Sequence, residues 1–189
     1  QNLFSTVGRQ EHLMIAINFF REIVSDFSEP IKVLIVCFAT EKDTWPDQFE
    51  WEKKKFTFLN ENIEFILADD NPEIFPKQVV DSDAIYIKGG STQPLYKKLK
   101  NIKNLSNLFR GKILAGSSAG ANIVAKYYYS YHRDRIEEGL GILPIKVFVH
   151  YSEEKVEKLK ILEKHKENLK TYVIPETEYV VIDKINLKV

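Results

Sequence analysis

Cysteine is almost absent from this chain of 189 residues, and its one thiol, Cys37, can form no internal disulfide and no zinc site by itself. Cys37 lies in the apolar run Val33-Leu34-Ile35-Val36-Cys37-Phe38, where a buried, inert thiol is expected. Excess charge of either sign is missing too. The 27 Lys and Arg balance the 27 Asp and Glu, so no nucleic-acid partner is expected, because phosphate backbones are bound mainly by a surplus of basic side chains. No apolar run approaches the ~20 residues of a membrane span. The opening Gln1-Asn2-Leu3-Phe4 lacks the basic stretch leading into an apolar one that marks a signal peptide. A cytoplasmic, reducing compartment is therefore the expectation. No repeat, low-complexity tract or Pro/Gly linker divides the chain, and its length suits one domain spanning 1–189.

What is present is enough apolar surface for a core, with 44% hydrophobic and 12% aromatic residues. Short apolar runs alternate with longer amphipathic stretches, the pattern of an α/β fold with a mostly parallel sheet. Strands are expected over Lys32–Ala39, Ile63–Ala68, Ala84–Lys88, Lys112–Ala115, Lys146–His150 and Thr171–Ile174, with a further one over Leu3–Thr6. Several are apolar on both faces, as strands covered by helices on each side must be. Helices are expected over His12–Val24, Asp47–Leu59, Gln93–Leu99, Ala121–Tyr129 and Glu153–Leu169, and a closing hairpin over Glu178–Ile182 and Asn186–Val189. The dense Lys and Glu of Glu153–Leu169 read as a solvated face beside a narrow stripe of Val156, Leu159, Leu162 and Leu169.

The segment Ala115-Gly116-Ser117-Ser118-Ala119-Gly120-Ala121 carries G-x-S-x-G between an apolar strand and an apolar helix. That context is the one a nucleophile elbow requires: a sharp turn lifts the serine hydroxyl clear of the sheet, and the helix start offers free N–H groups to an oxyanion. Ser118, not Ser117, is centred between the glycines. The same pattern also describes a tight strand–helix turn with a serine cap. A second pair, Gly89-Gly90, follows another strand in Ile87-Lys88-Gly89-Gly90-Ser91-Thr92. Ligand crevices of open α/β sheets lie at the carboxyl ends of strands, so both turns are expected to face one cleft. There the backbone N–H groups of Gly90 and Ala119 would form an oxyanion hole. A phosphate-binding loop is disfavoured at Gly89-Gly90, which lacks both G-x-G-x-x-G and a Lys-Ser/Thr pair.

A serine hydroxyl needs a base. Of His12, His132, His150 and His165, only His150 ends an expected strand and points to the same edge. The third member is a carboxylate that orients the imidazole. Glu176, after the last apolar strand, is one candidate, and Asp134, in His132-Arg133-Asp134-Arg135, is its rival.

Together, Gly89-Gly90-Ser91-Thr92, Gly116-Ser117-Ser118-Ala119-Gly120-Ala121-Asn122, Gly139-Leu140-Gly141-Ile142-Leu143 before His150, and Pro175-Glu176 resemble the S51 serine peptidases, which include aspartyl dipeptidase (peptidase E) and cyanophycinase. The resemblance runs from about Lys32 to Glu176. It implies a three-layer α/β, class I glutamine-amidotransferase-like fold, with a Ser–His–Glu triad on Ser118, His150 and Glu176 and oxyanion donors on Gly90 and Ala119. It also implies hydrolysis of dipeptides or short peptides without metal or organic cofactor, and a pocket lined by Ser91, Thr92, Gln93 and Lys155. Lys155 falls where aspartyl dipeptidase carries the arginine that recognises the substrate's aspartate. Lysine keeps the charge and loses the planar fork. An esterase or isopeptidase using the same triad, and a non-catalytic binding or scaffold protein on the same fold, are the alternatives. Glutamine amidotransferase chemistry is disfavoured, since it uses a cysteine at the elbow and Cys37 lies far away in sequence.

Overall fold

The computed structural model describes residues 17–24, 30–59 and 62–182. Helix α1 (residues 17–24) and strand β1 (Ile31–Val36) are followed by α2 (Trp45–Lys54), β2 (Ile63–Leu67), α3 (Phe75–Asp81), β3 (Ala84–Ile87), α4 (Thr92–Leu99), α5 (Leu105–Leu108) and β4 (Ile113–Gly116). Beyond them come α6 (Ala119–Val124), β5 (Ala125–Ser130), β6 (Arg135–Glu138), β7 (Leu143–Tyr151), α7 (Val156–Lys164) and β8 (Thr171–Pro175).

The strands form two four-stranded sheets. In the first, β2-β1-β3-β4, every pairing is parallel. Its central strands β1 and β3 are almost wholly buried, which is why they read as largely apolar on both faces rather than alternating. Phe38, Phe75, Tyr86 and Ile35 fill the core around them. The chain runs from β1 to β2 on one side and returns to β3 on the other, a switch point that opens a crevice at the carboxyl ends. Ser91 N–H donates to Ala39 O at 2.8 Å, so the turn after β3 leans on the turn after β1.

The second sheet, β6-β5-β7-β8, is mixed: β5 pairs antiparallel with β6 and parallel with β7, and β7 is parallel to β8. One face carries Ala125, Ile145, Val147 and Val149, and the other carries Tyr127, Tyr129 and Phe148 against Leu162 of α7. The Tyr129 and Phe148 rings stack at 5.1 Å. The short helix α6 joins the sheets, entering from β4 and leaving into β5. Among the described residues no helix is long and apolar enough to cross a membrane.

The chain adopts the expected α/β architecture of largely parallel strands flanked by helices, but its strands form two four-stranded sheets where one mostly parallel sheet was expected, and there are local differences. The helix expected over Ala121–Tyr129 stops at Val124, and Ala125–Ser130 is strand β5. Consecutive tyrosines favour a pleated, half-buried surface, and β6 and β7 supply partners on either side. The helix expected to reach Leu169 ends at Lys164, and a positive φ of 50° at Lys166 accompanies the turn back towards β8. Helix α3, opened by Pro76 in its first turn, and strand β6 were not expected. No strand occupies residues 178–182. Leu3–Thr6 and Asn186–Val189 lie outside the described residues.

Two turns depend on close backbone approach. A Cβ on Gly120 would sit 2.1 Å from Ile87 O, and one on Gly116 would sit 2.4 Å from the Gly120 carbonyl carbon. Replacing Gly120 with Ala should thus cost about 3 kcal/mol or more, the scale of severe overpacking. Equilibrium denaturation of Gly120→Ala measures it, and an unchanged midpoint would contradict the packing.

The β5–β6 hairpin rests on Glu137, which accepts from Tyr128 Oη at 2.9 Å, Arg133 at 3.1 Å and Arg135 at 2.9 Å. Burial opposes its ionisation, but Arg135, Tyr128 and Arg133 together outweigh that and hold the carboxyl below its usual range. A depressed folded-state pKa gives stability that is present at neutral pH and lost as pH falls through it. Glu137→Gln should therefore be less stable at pH 7 by about 1–2 kcal/mol, with a smaller loss on acidification. Denaturant midpoints measured from pH 7 to pH 3 test both signs.

Candidate active site

Four strands, a parallel pair from each sheet, end around one pocket: β3 leads to Gly90, β4 to Ser118 and β8 to Glu176, and β7 carries His150 next to its last residue. The pocket has a volume of about 350 Å³ and is lined by these residues together with Thr92, Asn122, Lys155 and the stretch Tyr129-Ser130-Tyr131-His132.

Ser118 immediately precedes α6 with φ 49° and ψ −103°, a conformation that an L-residue reaches only at a cost of ~1–3 kcal/mol. That strained turn directs Oγ to His150 Nε2 at 2.8 Å. His150 Nδ1 in turn lies 2.6 Å from Glu176 Oε1. The proton positions follow from the chemistry of the partners. An ionised carboxylate only accepts, so Nδ1 carries the ring proton and Nε2 is left to accept from the serine hydroxyl. Glu176 is exposed, at 72% of its side-chain surface, and His150 is 40% exposed. The carboxylate therefore meets the ring in a wet environment, where its hold is weaker than a buried acid's would be.

Gly90, with φ 145°, packs against Ala39 so tightly that a Cβ would lie 2.5 Å from Ala39 O. The Gly89 carbonyl accepts from Lys88 Nζ at 3.3 Å. In a trans peptide the N–H points opposite to the carbonyl, so this contact directs the Gly90 N–H away from Lys88. Among the described residues neither Gly90 N–H nor Ala119 N–H meets an acceptor. Ala119 is the first residue of α6, where an N–H has no partner within the helix.

The sequence-derived residues divide as follows. Ser118, His150 and Glu176 come together in one hydrogen-bonded chain, and Gly90, Thr92 and Lys155 line the same pocket. Ser91 and Gln93 are not part of the lining. Ser91 is exposed, and Gln93 belongs to the first turn of α4. Asp134, the rival carboxylate, does not reach His150. It accepts from Tyr129 Oη at 2.6 Å and pairs with Lys158. Lys155 Nζ donates to the His150 carbonyl at 2.6 Å and lies 4.5 Å from the centre of the Tyr131 ring. Cys37 is fully buried, and burial pushes its thiol up to about 11, consistent with an inert role. Among the described residues no three His, Cys, Asp or Glu side chains cluster as metal ligands would.

The wall formed by Tyr129-Ser130-Tyr131-His132 was missed in the sequence. Reading Ala121–Tyr129 as helix carried these residues away from the pocket. The strand preference of three successive tyrosines was the available signal. Asn122 also lines the pocket, and its Oδ1 is buried without a hydrogen-bond partner.

Comparisons with known proteins give the family and the fold. No curated protein matches the sequence. A candidate peptidase E protein from Listeria monocytogenes EGD-e shares the fold with a TM-score of 0.60 at 21% identity, over 85% of each chain. A peptidase from an acI-B1 actinobacterium superposes with a TM-score of 0.54 at 23% identity, over 78% of this chain and 65% of the other. Both likenesses are of fold. The model of peptidase family S51 matches residues 3–189, nearly the whole sequence, and the chain thus belongs to that family and is a serine-type peptidase.

Proposed function

We propose that the protein is a cytoplasmic serine exopeptidase that hydrolyses dipeptides or short peptides, with Ser118 as nucleophile, His150 as general base and acid, and Glu176 as the group that orients and stabilises the imidazolium. The observation that carries this reading is the hydrogen-bonded chain from Ser118 Oγ through His150 to Glu176. His150 Nε2 takes the hydroxyl proton as Oγ attacks the scissile carbonyl. The negative charge that develops on the carbonyl oxygen is met by the N–H groups of Gly90 and Ala119, which are fixed before reaction and need no reorganisation. His150 then gives its proton to the leaving amine, and water resolves the acyl-enzyme with the roles reversed.

The pocket supports a short substrate. Its volume of about 350 Å³ is at the small end of ligand sites, and Tyr129, Tyr131 and Thr92 form walls around the reacting serine. The ammonium of Lys155 adds positive charge to this enclosure.

Hydrolysis of a dipeptide panel, varied at the N-terminal residue, tests the reading. Ser118→Ala and His150→Ala should each lower kcat by about 10⁴-fold or more, since such groups act as a unit. Hydrolysis that survives both substitutions in folded protein would refute it.

Glu176→Gln should cost about 10²-fold, less than the ~10⁴ of a buried triad acid, because its carboxylate is largely in water. Asp134→Asn should leave kcat within a few-fold of wild type. The reverse order of the two losses would transfer the orienting role to Asp134.

A further inference from the structure

We propose that Lys155 is a positioning residue, whose ammonium pins the backbone carbonyl of His150 and so aims the imidazole at Ser118. The inference rests on the triad assignment above and adds to it a means of holding the base in place.

His150 is an unusual place for a base. Its φ of 56° is in the left-handed region, which a non-glycine residue adopts only when its surroundings impose it. The β7–β8 register pairs Val149 with Ile174 and Tyr151 with Pro175, and shifts between them. Residue 150 is thus a bulge with no partner opposite, and bulges re-aim side chains at the cost of ladder hydrogen bonds. A sheet that does not hold this residue leaves its backbone free to turn, and with it the ring.

Lys155 supplies the missing hold. It lies five residues on, at the end of a short 3₁₀ turn, Glu153–Lys155, that leads into α7. Its Nζ donates to His150 O at 2.6 Å, a charge-assisted bond at the short end of the range. The same ammonium lies over the Tyr131 ring, 4.5 Å from its centre, and Tyr131 also lines the pocket. Lys155 therefore ties the start of α7, the end of β7 and the pocket wall to one another. The pinned carbonyl belongs to the residue whose ring must stay within 2.8 Å of Ser118 Oγ, and misplacement of a reacting group by about 1 Å can cost on the order of 10²-fold in rate.

A positioning role and a substrate contact make different demands on Lys155. Lys155→Met keeps the apolar stem and removes the donors, whereas Lys155→Arg keeps donors that can reach a carbonyl. Kinetics are read on a neutral dipeptide and on one with an acidic N-terminal side chain. The ring nitrogens of His150 are followed in parallel by ¹⁵N NMR of the free protein. Lys155→Met should lower kcat by about 10–10²-fold on both substrates with little change in KM. It should also replace the single Nδ1–H form of the ring by an averaged signal, and Lys155→Arg should restore both. A rise in KM confined to the acidic dipeptide, with kcat and the ring signals unchanged, would overturn the proposal in favour of a substrate contact. Should wild type hydrolyse neither dipeptide, the triad reading fails, and the NMR alone decides the positioning role: an unchanged ring in Lys155→Met refutes it.

Discussion

The site depends on a 2.8 Å contact between Ser118 Oγ and His150 Nε2 made by two residues that both carry positive φ. Neither conformation is intrinsically favourable for an L-residue. Each is imposed by its surroundings. At the elbow, Gly116 and Gly120 allow the strand, the helix and Ile87 O to approach within distances that a side chain would block. At the base, the bulge between β7 and β8 turns the chain. The strain is local, and the two sheets that α6 joins supply the packing around it.

From this contact the chemistry follows in order. In the proposed mechanism Glu176 fixes which ring nitrogen carries the proton, the ring then accepts from the serine, and the Gly90 and Ala119 N–H groups, which meet no acceptor among the described residues, would face the developing charge. Each contribution comes from the end of a different parallel strand. The fold thus positions the site through its topology: the switch between β1 and β3 opens the crevice, and the turns after β3 and β4 carry the proposed donors and the proposed nucleophile. The second sheet adds the proposed base, His150, and its carboxylate, Glu176.

Much of this was legible in the sequence because the signals were local. The parallel strands announced themselves as apolar runs such as Val33–Val36 and Ala84–Ile87. The elbow was marked by glycines whose absent side chains the turn requires. His150 stood out because it ends an apolar strand, and Glu176 because it follows one. What could not be read was decided by long-range pairing. Ala125–Ser130 is a strand because β6 and β7 flank it, and an Ala-Asn-Ile-Val opening gave no sign that the helix would stop so soon. Choosing between Glu176 and Asp134 required the actual distances, since both are carboxylates in turns. The contact of Lys155 with a backbone carbonyl has no sequence signature, because any lysine five residues on would read as a surface charge.

Mapping the site of reaction with a fluorophosphonate puts the central claim to the most direct test. Folded protein treated at pH 8 should carry one adduct, on Ser118 by peptide mass spectrometry, and His150→Ala should abolish it. An adduct on Ser117, or none at all while the fold is intact, would contradict the assignment of Ser118 as a nucleophile activated by His150.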